Sequence, residues 1–543
     1  MEKIGTKVLW IVIVGSIVTI VLAAVFSPWW LLLGILFFPL VAVGIWDYFQ
    51  PRHSILRNYP IAGHMRFMLE GAGPELHQYI VESDTDGRPF DRDQRSLIYR
   101  RAKGVTDTKP FGTEQNVYGE GYTFLKHSIV TRPVAKNPVA DLRITVGGPE
   151  CKQPYSLSVL NISAMSFGAL GGRAVLAMNT GAKAGNFAHD TGEGGISRHH
   201  RAGGGDLIWQ LGTGYFGCRK KEDGTFDPDL FAKQSVDPQI KMIEIKMSQG
   251  AKPGHGGILP GAKVTEEIAE ARLVEVGKTV FSPTYHTAFS TPLEMCAFVT
   301  QLRELSGGKP VGFKICIGEP REFMAIVRAM IQTGVLVDFI VVDGGEGGTG
   351  AAPQEFSDSM GFPLYEGLAL VHNTLVGAGL RDRIKVGASG KMVSAAAMAT
   401  AMALGADWCN SARAFMFSVG CIQAQRCNTN RCPVGVTSQD PKLQRALVVP
   451  DKAERVHRFH EHTVHGLAEF VAAMGLDHPS ELRPHHVMRR TSATQVASLD
   501  EIYPFLTTGS LIDGTAAERM QRYWNQSSAE TFRFDPDTVK IAS

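Results

Sequence analysis

Eight short apolar runs alternate with stretches of helical periodicity between residues 157 and 412. The runs are LSVLNIS, GNFAHD, MIEIKMS, TVFSPTY, VGFKICI, VDFIVVD, RIKVGAS and ADWCNSA. Buried strands that alternate with helices are typical of a parallel sheet covered by helices, and eight of them predict a closed (β/α)8 TIM barrel of the α/β class. A doubly wound open sheet shares the alternation and is the alternative.

Most of these runs are followed by loops rich in glycine and serine. The clearest loops are AMSFG, TGEGG, QGAKPGHGG, DGGEGGTG and GASGK. The chain contains 58 glycines, well above the usual share, and they gather in such loops. In a barrel these loops share the carboxyl-terminal face, where active sites are built. We therefore expect the backbone to approach a ligand closely at this end.

The first fifty residues contain two long uncharged runs. Residues 8–26 carry no charge, and a second apolar run spans residues 31–46. Each run is near the length that crosses a bilayer, so we predict a transmembrane helical hairpin over residues 1–50. A cleaved signal peptide and a buried core hairpin are the alternatives. By the positive-inside rule, both ends of the hairpin and the catalytic part lie in the cytoplasm, as indicated by the flanking basic residues Lys3, Lys7, Arg52, Arg57 and Arg66.

The rest of the chain divides by pattern. We expect an irregular lead-in region at residues 51–150, the barrel with a cysteine-rich loop at 151–480, and a C-terminal extension at 481–543. The formal net charge is +2 and no basic run occurs, which argues against nucleic-acid binding. The eight cysteines show no disulfide framework, which fits a reducing compartment.

Three cysteines stand close together in CIQAQRCNTNRCPVG, at Cys421, Cys427 and Cys432. Offsets of six and five residues fit neither a helix face nor a strand, so a loop would have to turn the three sulfurs inward. A metal cluster is the expected ligand. Zinc would need a fourth Cys or His, and only Cys409 is near. Inert buried cysteines are the remaining alternative.

Lys314 lies inside the apolar run VGFKICI. A lysine buried in such a strand needs an anionic or electron-rich partner. A structural ion pair is the simple explanation, and a charge that stabilises a reduced flavin ring is the functional one. Two later loops could hold a phosphate group through backbone N–H groups and an arginine, although a tight turn also explains their glycines; their residues are Gly387, Ser389, Gly390, Ser411, Ala412 and Arg413.

Five motifs in order resemble the FMN-binding synthase domain of the glutamate synthase family, over roughly residues 150–480. They are SAMSFGAL, NFAHDTGEGG, QGAKPGHGGILPG, VVDGGEGGTGAAP and CIQAQRCNTNRCPVGV. The resemblance implies a (β/α)8 barrel with FMN at its mouth and a [3Fe–4S] cluster bound by Cys421, Cys427 and Cys432. A [4Fe–4S] cluster that also uses Cys409 is the alternative.

The resemblance also implies roles for residues. Glu193 would lie near the ammonia entrance, while Gln249, Lys252 and Lys314 would face the flavin or the substrate as catalytic residues. The flavin ring and phosphate would be bound by Gln249, Lys314, loop residues of the first and fourth motifs, and residues of the two later loops GASGK and SARAF: Ala164, Met165, Ser166, Asp343, Gly344, Gly345, Gly347, Gly348, Gly390, Lys391, Ser411 and Arg413.

The implied reaction is the reductive amination of 2-oxoglutarate with ammonia to L-glutamate, with single electrons passing from the cluster to FMN. The start MEKIG lacks a glutaminase nucleophile, so we expect free ammonia or a separate glutaminase. No GxGxxG module for NADPH is evident, so we expect electrons from a separate carrier protein or a membrane quinone pathway.

Three positions depart from the family pattern. Tyr215, His255 and Ile258 stand where the family commonly has arginine, glutamate and glutamine. The loss of polar side chains favours a different keto acid or amino acid as the alternative substrate. A non-catalytic electron relay that keeps the barrel as a scaffold is a third interpretation.

Overall fold

The computed structural model describes residues 5–534, so Lys3 of the predicted orientation signal and residues 535–543 of the predicted extension lie outside the described residues. The chain divides into two compact units between Arg92 and Asp93. The boundaries predicted at residues 50, 150 and 480 remain predictions.

The N-terminal unit is helical. Its two long helices, Gly5–Val25 and Gly34–Phe49, are joined by a 3-10 turn at Pro28–Leu33, so the predicted helical hairpin is present. The two helices pack closely, because a Cβ on Gly15 would contact the ring of Phe37 at 2.7 Å. Both are long and apolar enough to cross a membrane. Shorter segments follow: Ser54–Asn58, Gly63–Leu76 and a π turn at His77–Val81.

The C-terminal unit is built around a closed barrel of eight parallel strands, which confirms the predicted (β/α)8 fold. Strand eight pairs with strand one through Asn410 and Asn161 and so closes the ring. In chain order, β1 to β8 are Leu160–Ile162, His189–Asp190, Leu207–Leu211, Ile240–Lys246, Val311–Ile315, Phe339–Asp343, Lys385–Ser389 and Trp408–Ser411.

A principal helix follows each strand. In chain order, α1 to α8 are Gly172–Ala184, Arg198–Gly203, Pro228–Ser235, Pro292–Leu305, Pro320–Thr333, Leu364–Gly377, Ala395–Ala403 and Val449–Ala473. Proline begins several of them, where its missing N–H has no partner to lose. The shorter helices of this unit are Arg92–Lys103, Pro138–Asp141, Glu266–Arg272, Gln354–Ser359, Arg413–Ser418, Pro441–Gln444, Leu499–Ile502, Ser510–Asp513 and Glu518–Gln526.

One predicted barrel strand was wrong and one was missed. TVFSPTY contributes Val280–Phe281, which pairs antiparallel with Ile258–Leu259 in a hairpin outside the ring. Its place in the barrel belongs to β3, whose sequence LIWQL follows a run of three glycines. Pattern alone could not separate the two, since β-branched residues mark any half-buried strand, whereas pairing with β2 and β4 is decided by tertiary contacts.

An apolar cluster closes the amino-terminal end of the barrel. The antiparallel hairpin Arg143–Val146 and Tyr155–Ser158 precedes β1 and carries three side chains into this end. There they pack against residues from the strands, and full burial of each large apolar side chain contributes about 1.5–3 kcal/mol. The cluster contains Val146, Tyr155, Leu157, Ala188, Ile208, Met242, Phe339, Val341 and Trp408.

A small sheet joins the predicted lead-in region to the predicted extension. Thr123–Leu125 pairs antiparallel with Val487–Arg490, which in turn pairs with Val496–Ser498. These distant segments therefore meet on the outside of the barrel, and the lead-in region is not irregular throughout.

Candidate active site at the barrel mouth

The carboxyl-terminal end of the barrel interior is charged although it is buried. Lys314 of β5 is 5% exposed, and its Nζ lies 3.6 Å from Oδ2 of Asp343 at the end of β6. Burial would lower the pKa of Lys314, but the carboxylates of Asp343, Glu244 and Asp190 outweigh it and raise the pKa. The ammonium is therefore charged at neutral pH, and Lys314 has the anionic partner that its buried position in a strand predicted.

Asp190 and Glu244 form a buried acid pair beside this lysine. The backbone N–H of Gly192 donates to Oδ1 of Asp190 at 2.9 Å, and Nε2 of Gln210 donates to Oε1 of Glu244 at 2.6 Å. The other carboxyl oxygens, Oδ2 and Oε2, are buried without a hydrogen-bond partner among the described residues. Burial raises the pKa of Asp190 to about 6, and burial together with the charge of Asp190 raises that of Glu244. One proton shared by the pair would satisfy both oxygens.

We expect an Asp190→Asn substitution to flatten the pH dependence of stability. The pKa of Asp190 rises from 3.8 to about 6 on folding, so the folded protein keeps a proton that the unfolded chain releases. This contribution is complete below the unfolded pKa and is lost as the pH rises through the folded one. At about 1.4 kcal/mol per pKa unit, the loss is roughly 3 kcal/mol.

Thermal unfolding between about pH 4 and pH 7 checks this expectation, since the two pKa values of Asp190 are 3.8 and about 6. The Tm of the natural protein should fall across this window more steeply than that of the variant. An Asp229→Asn protein, altered at an exposed helix start, is the control and should behave like the natural protein. Identical slopes in all three proteins would contradict the shared proton.

The loops after β2 and β4 bring the other predicted catalytic residues to the mouth. Oε1 of Glu193 lies 3.0 Å from Nζ of Lys246. Burial would raise the pKa of Glu193, but the charges of Lys246, Arg272 and Lys252 lower it, so this carboxylate is ionised. Burial lowers the pKa of Lys252, opposed by Glu193. Gln249 is half-buried on the same loop as Lys252.

Asp343 fastens two of the mouth loops to each other. Its Oδ2 accepts the backbone N–H of Gly250 at 2.7 Å. A Cβ on Gly250 would overlap the carbonyl oxygen of Gly344, whose own N–H donates to the carbonyl of Ser389 at 2.7 Å. Glycine is required where backbones approach this closely. The other predicted glycines of this loop follow directly: Gly345, Gly347 and Gly348.

The loop after β1 carries Ala164, Met165 and Ser166. It lies against the loop after β2, because a Cβ on Gly192 would contact the backbone nitrogen of Ser166 at 2.6 Å. Met165 is buried, whereas Ala164 and Ser166 are half-buried. The mouth is therefore lined by the loops that follow β1, β2, β4 and β6.

The predicted phosphate residues have different surroundings. Gly387 lies within β7, where a Cβ would overlap the Trp408 ring, so packing alone explains this glycine. The Ser411 hydroxyl donates to the carbonyl of Met392 and fastens the loop after β7. Ala412 directly precedes the helix Arg413–Ser418. A cavity of about 550 Å³ borders this region, with Gly390, Lys391, Met392, Val393, Ser394, Glu346 and Tyr365 in its lining.

Arg413 connects the loop after β6 with the cysteine loop. One guanidinium nitrogen donates to the carbonyl of Thr349 at 2.7 Å, and the other lies 3.7 Å from Sγ of Cys427. Its charge is therefore placed between the glycine loop and a predicted cluster ligand, where it can stabilise an anion on either side.

Cys421, Cys427 and Cys432 lie on a loop without helix or strand, as their spacing predicted. Burial raises the pKa of Cys421 to about 11, and the charges of Cys427 and Cys432 also raise it, so the three sulfurs are neighbours. Within residues 5–534 they do not form a group with all sulfurs within 4.8 Å of one another, the grouping expected around a single ion. Sulfur atoms that lie further apart than this would suit a cluster in which each cysteine binds a different iron atom.

Lys263 holds the cysteine loop from inside the protein. Its buried Nζ donates to the carbonyl oxygens of Thr437, Cys427 and Ala169 at 2.8, 3.3 and 3.4 Å. Burial lowers its pKa to about 8, opposed by the charges of Cys427 and Cys432. On another side of the loop, the Tyr99 hydroxyl donates to the carbonyl of Cys421 at 2.6 Å.

Four charged residues of the site, Asp190, Glu244, Lys246 and Lys263, were not predicted from the sequence. Glu244 had the same signal as Lys314, because IKMIEIK also carries charge inside an apolar strand. Asp190 ends a predicted strand at the face where active sites are built. Lys263 had no signal, since PGAKV is typical of an exposed turn.

The three departures from the family pattern lie in different surroundings. Tyr215 is fully buried, and its hydroxyl is 2.9 Å from Nδ1 of His286 and accepts the N–H of Ala288 at 3.1 Å. Ile258 is 42% exposed in the hairpin outside the barrel. His255 is half-buried. Tyr215 is therefore held in the interior by its hydrogen bonds and ring contacts and supplies no positive charge.

Residues 137–477 match the family model described as a conserved region in glutamate synthase. A glutamate synthase large subunit-like protein, YerD of Bacillus subtilis, is 38% identical over 512 residues, which cover 87% of this chain and 97% of that protein. The chain belongs to the glutamate synthase family. It is a glutamate synthase-like oxidoreductase, of the class that acts on CH–NH2 donors.

More distant members of the glutamate synthase family align with the barrel region. The archaeal-type glutamate synthase [NADPH] of a Thermotoga species is 32% identical over 329 residues, 60% of this chain and 61% of that protein. The archaeal glutamate synthase [NADPH] of Methanocaldococcus jannaschii is 34% identical over 323 residues, 59% of this chain and 60% of that protein. The chain thus spans about three-fifths of these relatives. A solved flavocytochrome b2 mutant with benzoylformate aligns with 78% of this chain and 88% of that chain, at 14% identity and a TM-score of 0.42.

Proposed function

We propose that this protein is a membrane-anchored FMN and iron–sulfur enzyme that converts 2-oxoglutarate and ammonia to L-glutamate. The observation that carries this proposal is the charged Lys314, buried at the mouth of a glutamate synthase-family barrel and surrounded by glycine loops. A fixed positive charge of this kind stabilises negative charge that develops during the reaction.

The residues at the mouth suit FMN. The loops after β4 and β6 pack backbone against backbone at Gly250 and Gly344, as suits a mouth built from glycine loops, and Lys314 supplies a cation. We assign the phosphate to Gly390, Lys391 and the backbone near Ala412. FMN, when bound, supplies hydride transfer to the carbon of the imine that the keto acid forms with ammonia.

Charged side chains at the mouth would bind and orient the substrates. Lys252 and Lys246 are the cations best placed for the keto acid's carboxylates, through charge-assisted hydrogen bonds. The ionised carboxylate of Glu193 would attract ammonium to the entrance. The acid pair of Asp190 and Glu244 keeps a proton within the buried layer that contains Lys314.

The cysteine loop suits a [3Fe–4S] cluster with one cysteine at each iron. Three thiolates on one loop are soft ligands of the kind that iron–sulfur clusters need. Lys263 and Arg413 bring positive charge to the same loop and would stabilise a ligand set of net negative charge. A cluster here would hand single electrons to the flavin, which delivers them in pairs.

The electrons would come from a separate carrier protein or from a membrane quinone pathway. Ammonia would be taken up free or delivered by a separate glutaminase. Both partners would act on the cytoplasmic side, where the flanking Lys7 and Arg52 place the catalytic unit by the positive-inside rule.

The helical hairpin would anchor the enzyme in the lipid bilayer. Its apolar side chains point outward along both helices, and Trp10 and Trp46 are 63% and 74% exposed near the same end of the hairpin. Tryptophan at that level is typical of a membrane interface. Apolar surface that is exposed to water costs about 25 cal/mol per Å², and the bilayer would remove this cost.

We expect alkaline carbonate washing to leave the full-length protein in the membrane fraction. A chain that lacks residues 5–49 should be released, because the exposed apolar helices are then gone. Fractionation with immunodetection measures both. Release of the full-length protein without detergent would contradict the anchor, and a periplasmic signal from a C-terminal reporter would contradict the orientation.

A different keto acid or amino acid is the second candidate substrate. It is favoured by the buried position of Tyr215, whose phenol is engaged with His286 instead of offering a charge to a second carboxylate. A missing charge-assisted hydrogen bond weakens binding by about 1.5–3 kcal/mol, which corresponds to roughly ten-fold or more in Kd.

Bleaching of the bound flavin by candidate amino acids tests the reaction. Detergent-purified protein should bleach with L-glutamate and regain colour with 2-oxoglutarate plus ammonia. Calorimetric titration with 2-oxoglutarate separates the two candidates, since micromolar binding supports the first. Bleaching by another amino acid, with no response to glutamate, would show that the substrate is the corresponding keto acid and not 2-oxoglutarate.

A further inference from the structure

An amphipathic helix follows the hairpin within the N-terminal unit. Helix Gly63–Leu76 carries Met65, Met68, Leu69, Ala72 and Leu76 at spacings of three and four residues, which places them on one face. The four large side chains among them are between 44% and 66% exposed. A contiguous apolar face that is exposed to this extent marks an interaction surface.

The opposite face of this helix is turned towards the protein or towards water. The ring of Phe67 contacts the ring of His53 at 5.6 Å between centroids. Arg66 and Glu70 form an exposed ion pair with a distance of 2.6 Å. The apolar face therefore points away from the segment on which the helix rests.

The start of the helix is fixed to the base of the hairpin. The buried carboxylate of Asp47 accepts the N–H of Ile61 at 2.9 Å and lies 2.9 Å from Nε2 of His64. A Cβ on Gly44 would contact the side chains of Leu9 and Ile61, so Ile61 is packed between the two hairpin helices. Leu9 and Asp47 are the chain neighbours of the two exposed tryptophans, Trp10 and Trp46. The helix thus begins at the same level of the hairpin as Trp10 and Trp46.

We propose that helix Gly63–Leu76 lies on the surface of the same bilayer, with its apolar face among the lipid headgroups and upper acyl chains. This inference rests on the proposed membrane anchor. The lipid is the occupant that the geometry favours, because the helix is fixed to the base of a hairpin that needs the same environment and begins at the level of the two tryptophans. The polar face, with Arg66 and Glu70, faces water.

Photocrosslinking of the full-length protein tests this placement. The protein is reconstituted in vesicles of phosphatidylethanolamine and phosphatidylglycerol, with benzoylphenylalanine in place of Leu69 on the apolar face or of Glu70 on the polar face. Leu69 should yield at least several-fold more lipid adduct than Glu70 by mass spectrometry. Equal lipid yields at the two positions would overturn the proposal, and so would adducts from Leu69 with a second copy of the chain.

A third position separates this inference from the anchor itself. Val14 lies in the hairpin and is 55% exposed, so benzoylphenylalanine there should crosslink to lipid whenever the hairpin is in the bilayer. Lipid adducts at Val14 without adducts at Leu69 would overturn the surface helix alone. Their absence at both positions would overturn the anchor as well.

Discussion

A Lys314→Met protein should catalyse the proposed reductive amination at least about 100-fold more slowly, because removal of one preorganised charge at a reacting centre typically costs two to three powers of ten. Lys314 is the cation that Asp343, Glu244 and Asp190 together keep charged in the barrel interior. Methionine fills a similar volume without the charge. The rate is measured with 2-oxoglutarate, ammonia and a reduced viologen dye, and bound flavin is measured by absorbance.

Lys309→Met is the matched control for this variant. Lys309 is also buried and precedes the same strand, β5, at its opposite end, where Nζ donates to the carbonyl of Asp237 at 2.7 Å. Its replacement should lower the Tm but leave kcat within about two-fold, since it is remote from the mouth. A similar loss of kcat in both variants, or in neither, would contradict the role of Lys314.

A Cys427→Ser protein should contain no iron–sulfur cluster but should retain flavin. Serine is a poor ligand for a site that needs soft thiolates, and Cys427 is the cysteine that Arg413 and Lys263 both contact. Electron transfer from a one-electron donor to the flavin should then be lost entirely. Iron analysis and the electron paramagnetic resonance spectrum of the oxidised protein measure the cluster.

Cys409→Ser is the control for the cluster variant. Cys409 lies in β8 between Trp408 and Asn410, pairs with Leu160 and Ala388 on the neighbouring strands, and is fully buried. Strand alternation directs its side chain opposite to that of Trp408, which packs inside the barrel. Iron content should therefore stay unchanged. Loss of iron in this protein would favour the [4Fe–4S] alternative.

The sequence was sufficient for the barrel, the helical hairpin and the cysteine loop. Each rests on a local pattern that the fold preserves: alternation of strands and helices, long uncharged runs, and an offset of cysteines that no regular element accommodates. Lys314 could also be recognised from the sequence, because a charged residue inside the apolar run VGFKICI is unusual. A charge that is buried in a strand needs a partner.

The errors concern features that only tertiary contacts decide. TVFSPTY and LIWQL are comparable as local strand signals, and their pairing partners alone place one outside the barrel and the other within it. Lys263 is bound by three carbonyl groups from segments far apart in the chain. Gly387 stays a predicted phosphate-site residue, and its close packing against the ring of Trp408 on the next strand is a tertiary contact that the sequence does not reveal.

The apolar cluster at the amino-terminal end of the barrel has a kinetic consequence. Because the hairpin Arg143–Val146 and Tyr155–Ser158 fills that end, ligands of the described barrel enter and leave at its carboxyl-terminal mouth. In the proposed reaction, the amino acid product has to leave before the next keto acid can take its place. Substrate and product therefore cannot be bound at the same time, and accumulated product should slow turnover by competing directly with the keto acid.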